Sequence, residues 1–541
     1  MGSVEAPPAP LRVFFIPFFA TGHMIPLVDI ARLFAARGVD STVLVTPANA
    51  ALIQATVDAA ADSGLPIRTL IYPFPSSESG LPPGVENISA LPPSESYKID
   101  VATPFVRPAH DRLLRLHRPD AVVADVHFPW TTFVARDLGV PRFTFQALGL
   151  FPVCMMNSLF TNLPHLAVAG DDVPFLVPNL PHPIHMVRRE LPDFLRGNTQ
   201  IGAAMDDIGA AESGSLGVVV NSFVEMESAY AEYYYKTCNM RSWFVGPVAL
   251  AAAGQGSSLA TRGGDDPIAA ANRARCLSWL DAKEPKSVVY VCFGSWSQFT
   301  GEQLREMALG LEVAGHPFLW VVRDGGDEWM PEGFEQRVEG RGLVVRGWAP
   351  QVAILAHAAV GGFVTHCGWN SVLEGVSAGL PMVTWPLSTE QFMNEKLVVG
   401  VLRVGVRAAE GPGSTLEEEK AVVDAAELAR AVGRVMDSGE EAEGMKRRAR
   451  ESGKTARAAV KEGGSSHKGL SDLIEEIRAW HTFSHPSSKM MAHGALSSVN
   501  SSSSMSPERC HRSCLLADLT PTHLSSPGGR PESLGSPRRI E

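Results

Sequence analysis

Short apolar runs alternate with stretches of helical periodicity along most of the chain. Residues 13–16 are continuously apolar, which is typical of a parallel strand covered on both faces. Apolar residues then recur at helical spacing, at Leu27, Ile30, Ala31 and Phe34. Residues 42–46, with the sequence Thr-Val-Leu-Val-Thr, are predicted to form the next strand. Strand, helix and strand in this order predict a βαβ unit, so we expect an α/β fold with a parallel sheet.

The same pattern continues and predicts two series of strands. In the first half, further strands are expected at residues 121–124, 217–221 and 244–245. In the second half, strands are expected at residues 288–293, 318–323, 343–346, 362–365, 382–385 and 403–406. Helical stretches lie between these strands, so the chain is predicted to form two α/β domains.

Changes in composition mark the boundaries of these domains. Residues 1–10 are rich in proline and alanine and are expected to be loose, and residues 249–272 resemble an interdomain linker. Residues 484–541 are rich in serine, proline and histidine without periodicity, which predicts a disordered tail. The N-terminal domain is therefore expected over residues 11–248 and the C-terminal domain over residues 273–483.

Charge and cysteine content restrict the partners. Lysine and arginine number 47 against 58 acidic residues, a formal net charge of −11, which disfavours binding to nucleic acid or anionic membranes. No run approaches the roughly 18 apolar residues that a membrane span requires. The seven cysteines are odd in number and scattered, as expected in a reducing compartment. We expect a monomeric, cytoplasmic protein with neither nucleic acid nor membrane as a stable partner.

One turn in the second half concentrates polar side chains. His366, Asn370 and Ser371 follow the strand predicted at residues 362–365, where a helix is expected to begin. Unpaired backbone N–H groups and the helix dipole favour an anion at such a position. We therefore expect a pyrophosphate there, and the turn at Ser295 could close over the same phosphates.

The stretch from Trp348 to Gln391 carries a family resemblance. In order, it contains Trp348-Ala349-Pro350-Gln351, His366-Cys367-Gly368-Trp369-Asn370-Ser371, Glu374, Gly379-Leu380-Pro381 and Glu390-Gln391. It resembles the signature box of plant secondary-product UDP-glycosyltransferases, and the similarity extends over about residues 11–482. The resemblance implies a GT-B fold, in which two Rossmann-like domains with parallel sheets face each other across a cleft. The acceptor would bind to the N-terminal domain and the UDP-sugar to the C-terminal one, with a final helix at about 467–482 packing back across the cleft.

The resemblance also implies how the box binds the donor. Its roles are stacking on uracil (Trp348, beside Ala349), binding ribose (Gln351 and Glu374), binding the diphosphate (Ser295, His366, Asn370 and Ser371) and holding sugar hydroxyls (Glu390 and Gln391, with Trp369 nearby). In this family a terminal glutamine often accompanies glucose donors, so Gln391 favours UDP-glucose.

Two residues of the first half are candidates for catalysis. His23 lies where the first strand meets its helix, at the edge where open α/β sheets bind ligands, and the positive end of the helix dipole should keep it neutral. Asp125 ends a later strand. Alone, His23 could be structural and Asp125 a helix N-cap. The resemblance implies a dyad in which His23 takes the acceptor's proton and Asp125 fixes its tautomer. His127 is a nearby rival.

Large apolar residues near the strand ends could line an acceptor pocket. The candidates are Phe19, Phe128 and Phe145 with Gln146, although the core is the commoner place for aromatic residues of this kind. An apolar pocket with a few polar groups suits a flat phenolic or terpenoid acceptor. Residues 74–86 and 221–223 resemble the subgroup that acts on flavonoids, coumarins, terpenoids and steroids.

The implied reaction is displacement at the anomeric carbon with inversion, which gives a β-glucoside of a hydroxyl or carboxyl group. The chain has no Asp-x-Asp triplet of the kind that holds a metal in many other sugar-nucleotide enzymes, so we expect no metal and no cofactor besides the co-substrate UDP-glucose. The alternatives are UDP-galactose or UDP-glucuronate as donor, or an inactive nucleotide-sugar binding protein. An NAD-type oxidoreductase is disfavoured because the first βα turn lacks Gly-x-Gly-x-x-Gly.

Overall fold

The computed structural model describes residues 10–92, 95–196, 208–253, 267–294, 297–322, 326 and 328–484. The loose start predicted at residues 1–10 lies outside the described residues except for Pro10. The tail predicted at residues 484–541 lies outside them except for Ser484, and so does Ser295.

The first half of the chain forms a seven-stranded parallel sheet. Its strands are β1 (Arg12–Ile16), β2 (Asp40–Val45), β3 (Ile67–Ile71), β4 (Ala121–Asp125), β5 (Arg142–Gln146), β8 (Gly217–Val220) and β9 (Ser242–Phe244). Between β5 and β8, the strands β6 (Phe175–Val177) and β7 (Ile184–Met186) form a separate antiparallel hairpin. The order in the sheet is β3-β2-β1-β4-β5-β8-β9. The strand order reverses between β1 and β4, and such a reversal is where doubly wound sheets bind ligands.

The second half forms a six-stranded parallel sheet of the same kind. Its strands are β10 (Val288–Cys292), β11 (Phe318–Val322), β12 (Gly342–Arg346), β13 (Val360–Thr365), β14 (Met382–Thr384) and β15 (Gly405–Arg407). The order is β12-β11-β10-β13-β14-β15, so the reversal lies between β10 and β13. The predicted α/β class with two parallel sheets is confirmed.

Helices cover the faces of both sheets. The longer ones in the described part of the chain are Thr21–Ala35, Pro47–Asp62, Arg107–His117, Trp130–Leu138, Leu150–Asn162, Val224–Cys238, Pro267–Asp281, Gly301–Ala314, Trp369–Ala378, Ala425–Met436, Glu440–Val460 and Ser465–Ser484. The shorter ones are Ser76–Ser79, Tyr97–Ala102, Asp193–Arg196, Val248–Ala253, Phe334–Arg337, Gln351–Ala356 and Gln391–Glu395. Within the described ranges, no helix combines the length and the apolar character that crossing a bilayer requires.

Strand β1 shows why its run of apolar residues is continuous. Val13 and Phe15 pack into one core with the helix Thr21–Ala35, whereas Phe14 and Ile16 pack into a second core on the other face of the sheet. All four side chains are buried, and burial of each stabilises the fold by about 1.5–3 kcal/mol. A strand covered on both faces has no position left for a polar side chain without a partner.

Two strands of the seven-stranded sheet, and both strands of the separate hairpin, do not appear among the sequence predictions. In the two sheet strands, polar residues interrupt the apolar pattern. Strand β3 is an edge strand with Arg68 and Thr69 at its centre. Strand β5 is fully buried although it begins with Arg142, whose guanidinium donates to Thr131 Oγ1 at 3.3 Å and to the carbonyl of Asp125 at 3.4 Å. Hydrogen bonds of this kind make a buried polar group tolerable, and the one-dimensional pattern does not reveal them.

Within the residues that the structure describes, the chain crosses between the two lobes twice. The predicted linker at residues 249–272 overlaps the helices Val248–Ala253 and Pro267–Asp281, and residues 254–266 lie outside the described ranges. The final helix Ser465–Ser484 follows the second sheet in sequence but packs against the first. Its apolar residues share the core of β1, at Leu470, Leu473, Ile474 and Ile477.

Candidate active site

A cleft of about 1500 Å³ lies between the lobes, at the carboxyl ends of strands from both sheets. Lining residues from the first lobe include His23 after β1 and Ala147 after β5. Lining residues from the second lobe include Gly294 after β10, Trp348 after β12 and His366 after β13. Because parallel strands present their carboxyl ends at one edge, each sheet contributes several loops to this single space.

His23 and Asp125 form a hydrogen-bonded pair in the wall of the cleft. Their strands β1 and β4 are neighbours, and Nδ1 of His23 lies 2.8 Å from Oδ2 of Asp125. The Asp125 side chain is completely buried, whereas 22% of the His23 side chain is exposed. Since Nδ1 is engaged by the carboxylate, Nε2 is the ring nitrogen left to accept a proton from a substrate in the cleft.

The two partners shift each other's pKa. Burial raises the pKa of Asp125, but the imidazoles of His23 and His127 lower it more, so the net pKa lies well below its usual range. Burial lowers the pKa of His23, and the Asp125 carboxylate more than offsets this, so the net pKa is raised. The helix dipole alone predicted the opposite direction for His23. A charged carboxylate at hydrogen-bond distance acts more strongly than a helix terminus.

His127 shares the same carboxylate. Oδ1 of Asp125 lies 2.7 Å from Nδ1 of His127 and accepts a second bond, at 3.2 Å, from the backbone N–H of that residue. The His127 ring stacks on Phe18, with ring centroids 3.9 Å apart. The structure therefore does not choose between the two histidines as partners of Asp125, but His23 is the one that lines the cleft.

His23, Asp125 and His127 also offer three potential metal ligands within 4.8 Å of one another. The nitrogen–oxygen separations of 2.7 and 2.8 Å are hydrogen-bond distances. Two ligands of one tetrahedral zinc ion stand about 3.3 Å apart, as follows from metal–ligand bonds of about 2.0–2.1 Å. The spacing therefore fits shared protons better than a shared ion.

The turn after β13 presents the start of a helix to the cleft. Cys367 adopts a φ of 65°, a rare conformation for a residue with a side chain, and the helix Trp369–Ala378 begins directly after Gly368. Gly368 at the N-cap has no side chain that could accept from the first N–H groups. Those groups and the positive end of the dipole therefore remain available to an anion.

His366 is held in this turn between two glycines. Gly294 has a φ of 75°, and a Cβ built on it would lie 2.7 Å from Cε1 of His366; a Cβ on Gly368 would also collide with the ring. Burial lowers the pKa of His366 to about 4, so the ring is neutral near pH 7. Its Nδ1 is buried without a hydrogen-bond partner. An unsatisfied polar group in a cleft wall is costly unless a ligand or water binds there.

The side chains expected to bind the ribose and the diphosphate lie next to one another, at Gln351, Glu374 and Ser371. Nε2 of Gln351 donates to Oγ of Ser371 at 3.0 Å and to Oε2 of Glu374 at 2.9 Å. Trp348 and Ala349 line the cleft beside them. Asn272 donates to the carbonyl of Trp348 at 3.0 Å and so holds the loop that carries the indole.

Trp369 and Asn370 contact the opposite lobe. Nε1 of Trp369 donates to the carbonyl of Asn221 at 2.9 Å, and Nδ2 of Asn370 donates to the carbonyl of Gly22 at 2.7 Å. Gly22 is the neighbour of His23, so the helix at the expected phosphate site is tied to the turn that carries the histidine. The sequence gives no sign of this bond, because its partners are 348 positions apart.

Glu390 and Gln391 are placed differently. Glu390 lines the cleft, and burial raises the pKa of its carboxyl group. The side-chain carbonyl of Gln391 accepts from the backbone N–H groups of Leu387 at 2.9 Å and Ser388 at 3.1 Å. Gln391 therefore supports the loop before Glu390, and it is not among the described residues that line the cleft.

The acceptor-pocket candidates lie behind the cleft wall. Phe19, Phe128 and Phe145 are buried in the cores of the first lobe, and Gln146 donates to Glu212. None of the four is among the described residues that line the cleft. On the first-lobe side the lining includes, besides the turn that carries His23, residues 89–92 and Ala147 and Leu148. Residues 89–92 have no periodic pattern, and for this reason sequence reasoning overlooked them.

Known proteins match this chain over most of its length. A family model described as UDP-glucoronosyl and UDP-glucosyl transferase matches residues 272–433. Scopoletin glucosyltransferase from Nicotiana tabacum is 42% identical, over 88% of this chain and 99% of the relative. UDP-glucose flavonoid 3-O-glucosyltransferase 7 from Fragaria ananassa is also 42% identical, over 86% of this chain and 96% of the relative.

Solved structures agree with the sequence relatives. Glycyrrhiza uralensis UGT73P12, complexed with glycyrrhetinic acid 3-O-monoglucuronide, superposes with a TM-score of 0.82 at 38% identity, over 90% of this chain and 99% of that one. Medicago truncatula UGT71G1, complexed with UDP-glucose, gives a TM-score of 0.73 at 26% identity, over 86% of this chain and 98% of that one. The chain belongs to the family of plant UDP-glycosyltransferases, and the predicted family and GT-B fold are confirmed.

Proposed function

We propose that the protein transfers glucose from UDP-glucose to a hydroxyl group of a small lipophilic plant metabolite, with inversion to a β-glucoside. The observation that carries the proposal is the position of the hydrogen-bonded His23–Asp125 pair in the same cleft as the open helix start at Trp369–Ala378. One lobe thus supplies a base and the other an anion site, and transfer from a nucleotide sugar requires both.

The second lobe would bind the UDP-sugar. The diphosphate would lie against the helix start and His366, which has an unsatisfied buried nitrogen, while Trp348 would stack on uracil. Gln351 and Glu374 would bind the ribose. As UDP leaves, its growing negative charge would be stabilised by the N–H groups of the helix start, which are already oriented towards it. Ser295 remains a candidate for the same phosphates.

The first lobe would activate the acceptor. Nε2 of His23 would take the proton of the acceptor hydroxyl as its oxygen attacks the anomeric carbon from the face opposite UDP. The ionised Asp125 would hold the Nδ1 proton and stabilise the imidazolium that forms. Glu390 lies within electrostatic reach of His23 and would bind sugar hydroxyls between the two lobes.

The names of relatives support glucose as the sugar and a phenolic compound as the acceptor, since these relatives are named for scopoletin, flavonoids and anthocyanin. The solved complex with a glycyrrhetinic acid glucuronide supports triterpenoids as a second acceptor class. The apolar residues Leu91 and Leu148 on the acceptor side of the cleft fit either class.

We also propose that the enzyme acts without a metal, as a monomer, in the cytoplasm. The hydrogen-bond spacing around Asp125 supports the first point, because these nitrogen–oxygen separations fit shared protons better than a shared ion. Turnover should be unchanged by a chelator, and size-exclusion chromatography should give the mass of one chain. Loss of activity in EDTA that zinc or manganese restores would contradict the first expectation.

The test is an acceptor panel with UDP-glucose, UDP-galactose and UDP-glucuronate, read by mass spectrometry. We expect hexosides of phenolic acceptors with UDP-glucose, and the proton coupling of the anomeric centre should identify the β configuration. His23→Ala should abolish transfer but preserve UDP binding. His185→Ala is the matched control, because His185 is exposed on the hairpin strand β7. Preserved transfer in His23→Ala, or UDP binding without transfer to any acceptor, would contradict the proposal.

A further inference from the structure

A second histidine, His127, is hydrogen-bonded to the carboxylate of the His23–Asp125 pair. Both imidazoles approach Asp125 through Nδ1, His23 at Oδ2 and His127 at Oδ1. Asp125 is completely buried and its pKa lies well below the usual range, so its carboxylate is ionised and can only accept. Each histidine must therefore carry a proton on Nδ1, and the single Asp125 carboxylate accepts hydrogen bonds from both N–H groups.

His127 is itself held in place. Its backbone N–H donates to the same oxygen of Asp125 at 3.2 Å, and its ring stacks on Phe18 at 3.9 Å. Phe18 in turn makes an edge contact with His23, with centroids 5.4 Å apart. Oδ1 of Asp125 is thus fixed by two donors from one residue, and rotation of the carboxylate away from His23 is restricted.

We propose that His127 is a positioning residue for the transfer reaction. It orients the Asp125 carboxylate and weakens the attraction of that carboxylate for the protonated ring of His23. The inference rests on the proposed function of the His23–Asp125 pair. His127 is not among the described residues that line the cleft, so it acts through Asp125. A hydrogen bond to one carboxylate oxygen weakens the attraction of the other oxygen for an imidazolium.

Other charged groups also face these rings. Asp100, in the short helix Tyr97–Ala102, interacts with both His127 and His23, and Glu390 of the second lobe interacts with His23. Glu390 is unchanged when only His127 is replaced, and both His127→Phe and His127→Asn remove the interaction of the imidazole with Asp100. A difference between these two variants therefore does not come from Asp100 or Glu390.

Two substitutions distinguish the effect of the His127 ring from the effect of its N–H donor. His127→Phe keeps an aromatic ring that can stack on Phe18 but removes the Nδ1–H. His127→Asn removes the ring, but its side-chain amide can donate from about the position of Nδ1. If the donor matters, the phenylalanine variant should change the reaction and the asparagine variant should resemble the parent.

The measurement is the pH profile of kcat/KM for the acceptor at saturating UDP-glucose. In His127→Phe, Asp125 attracts the His23 proton more strongly, so the acidic limb should move upward by about half a pH unit or more. On that limb the rate should fall roughly threefold or more, while the KM for UDP-glucose stays constant. His127→Asn should keep the parental limb.

Three results would overturn the inference: an unchanged acidic limb in His127→Phe, an equal shift in His127→Asn, or a change confined to the acceptor KM, which would indicate direct contact with the acceptor. An NMR titration of ¹³C-labelled histidine, with His23 assigned by its loss in His23→Ala, follows the same proton without turnover. A parent that transfers no sugar would therefore contradict the proposed function alone, and the titration would still decide the role of His127.

Discussion

Replacing Gly294 with alanine should displace His366 and weaken the binding of UDP. Gly294 has a φ of 75°, and a Cβ at this position would lie 2.7 Å from Cε1 and 2.8 Å from Nε2 of His366. Carbon atoms in van der Waals contact stand about 3.5–4.0 Å apart, so the ring must move by close to 1 Å. If His366 donates to the diphosphate, the lost hydrogen bond to a charged group is worth about 1.5–3 kcal/mol, or roughly a 10- to 150-fold rise in the Kd.

The chain provides a matched control for this substitution. Gly315 has the same φ of 75°, but the atom nearest to a new Cβ there, the carbonyl oxygen of Val313, would lie 4.0 Å away. Both alanine variants should lose about 1 kcal/mol or more of stability through the left-handed backbone, as measured by urea unfolding. Only Gly294→Ala should weaken UDP binding in calorimetry. Equal UDP affinities in the two variants would refute the placement of His366 at the phosphates.

Asp125→Asn should lower kcat by about two orders of magnitude or more with little change in donor KM, because the imidazolium of His23 loses its counter-charge; an unchanged kcat would contradict the dyad. Trp348→Ala should mainly raise the KM for UDP-glucose, and a loss confined to kcat would argue against stacking on uracil. Burial raises the pKa of Glu227 to about 7, partly opposed by hydrogen bonds that include one from the backbone N–H of Phe151 at 2.7 Å. The folded state therefore binds the extra proton, so stability should fall by up to about 3 kcal/mol as the pH rises from about 4.5 to 7. Glu227→Gln should flatten this dependence in urea unfolding at pH 5.5 and 7.5, and identical slopes would contradict the assignment.

The sequence predicted those features that depend on local pattern and on the order of strands. Buried strands such as β1 are continuous apolar runs, and the order of strands placed His23 after β1 and Asp125 at the end of β4. Their pairing was expected only from the family resemblance. Strand β5 was missed because the hydrogen bonds that satisfy Arg142 come from residues elsewhere in the chain.

Contacts between the lobes could not be predicted. The bond from Asn370 to the carbonyl of Gly22 joins distant parts of the sequence, and nothing in either residue type predicts the other as its partner. The lining of the acceptor side could not be predicted either. Large apolar residues such as Phe19 are typical of a pocket wall and of a core alike, and the structure buries Phe19 in the core. Residues 89–92, which do line the cleft, belong to a loop whose position is set by the hydrogen bonds around Asn87.

Crystallography of the protein with UDP-2-fluoroglucose tests the central claim most directly, because the fluorine slows transfer and both lobes can be observed around one donor. We expect the diphosphate at the start of the helix Trp369–Ala378 beside His366, with the anomeric carbon turned towards Nε2 of His23 across the cleft. A nucleotide bound away from that turn, or an anomeric carbon directed away from His23, would contradict the account.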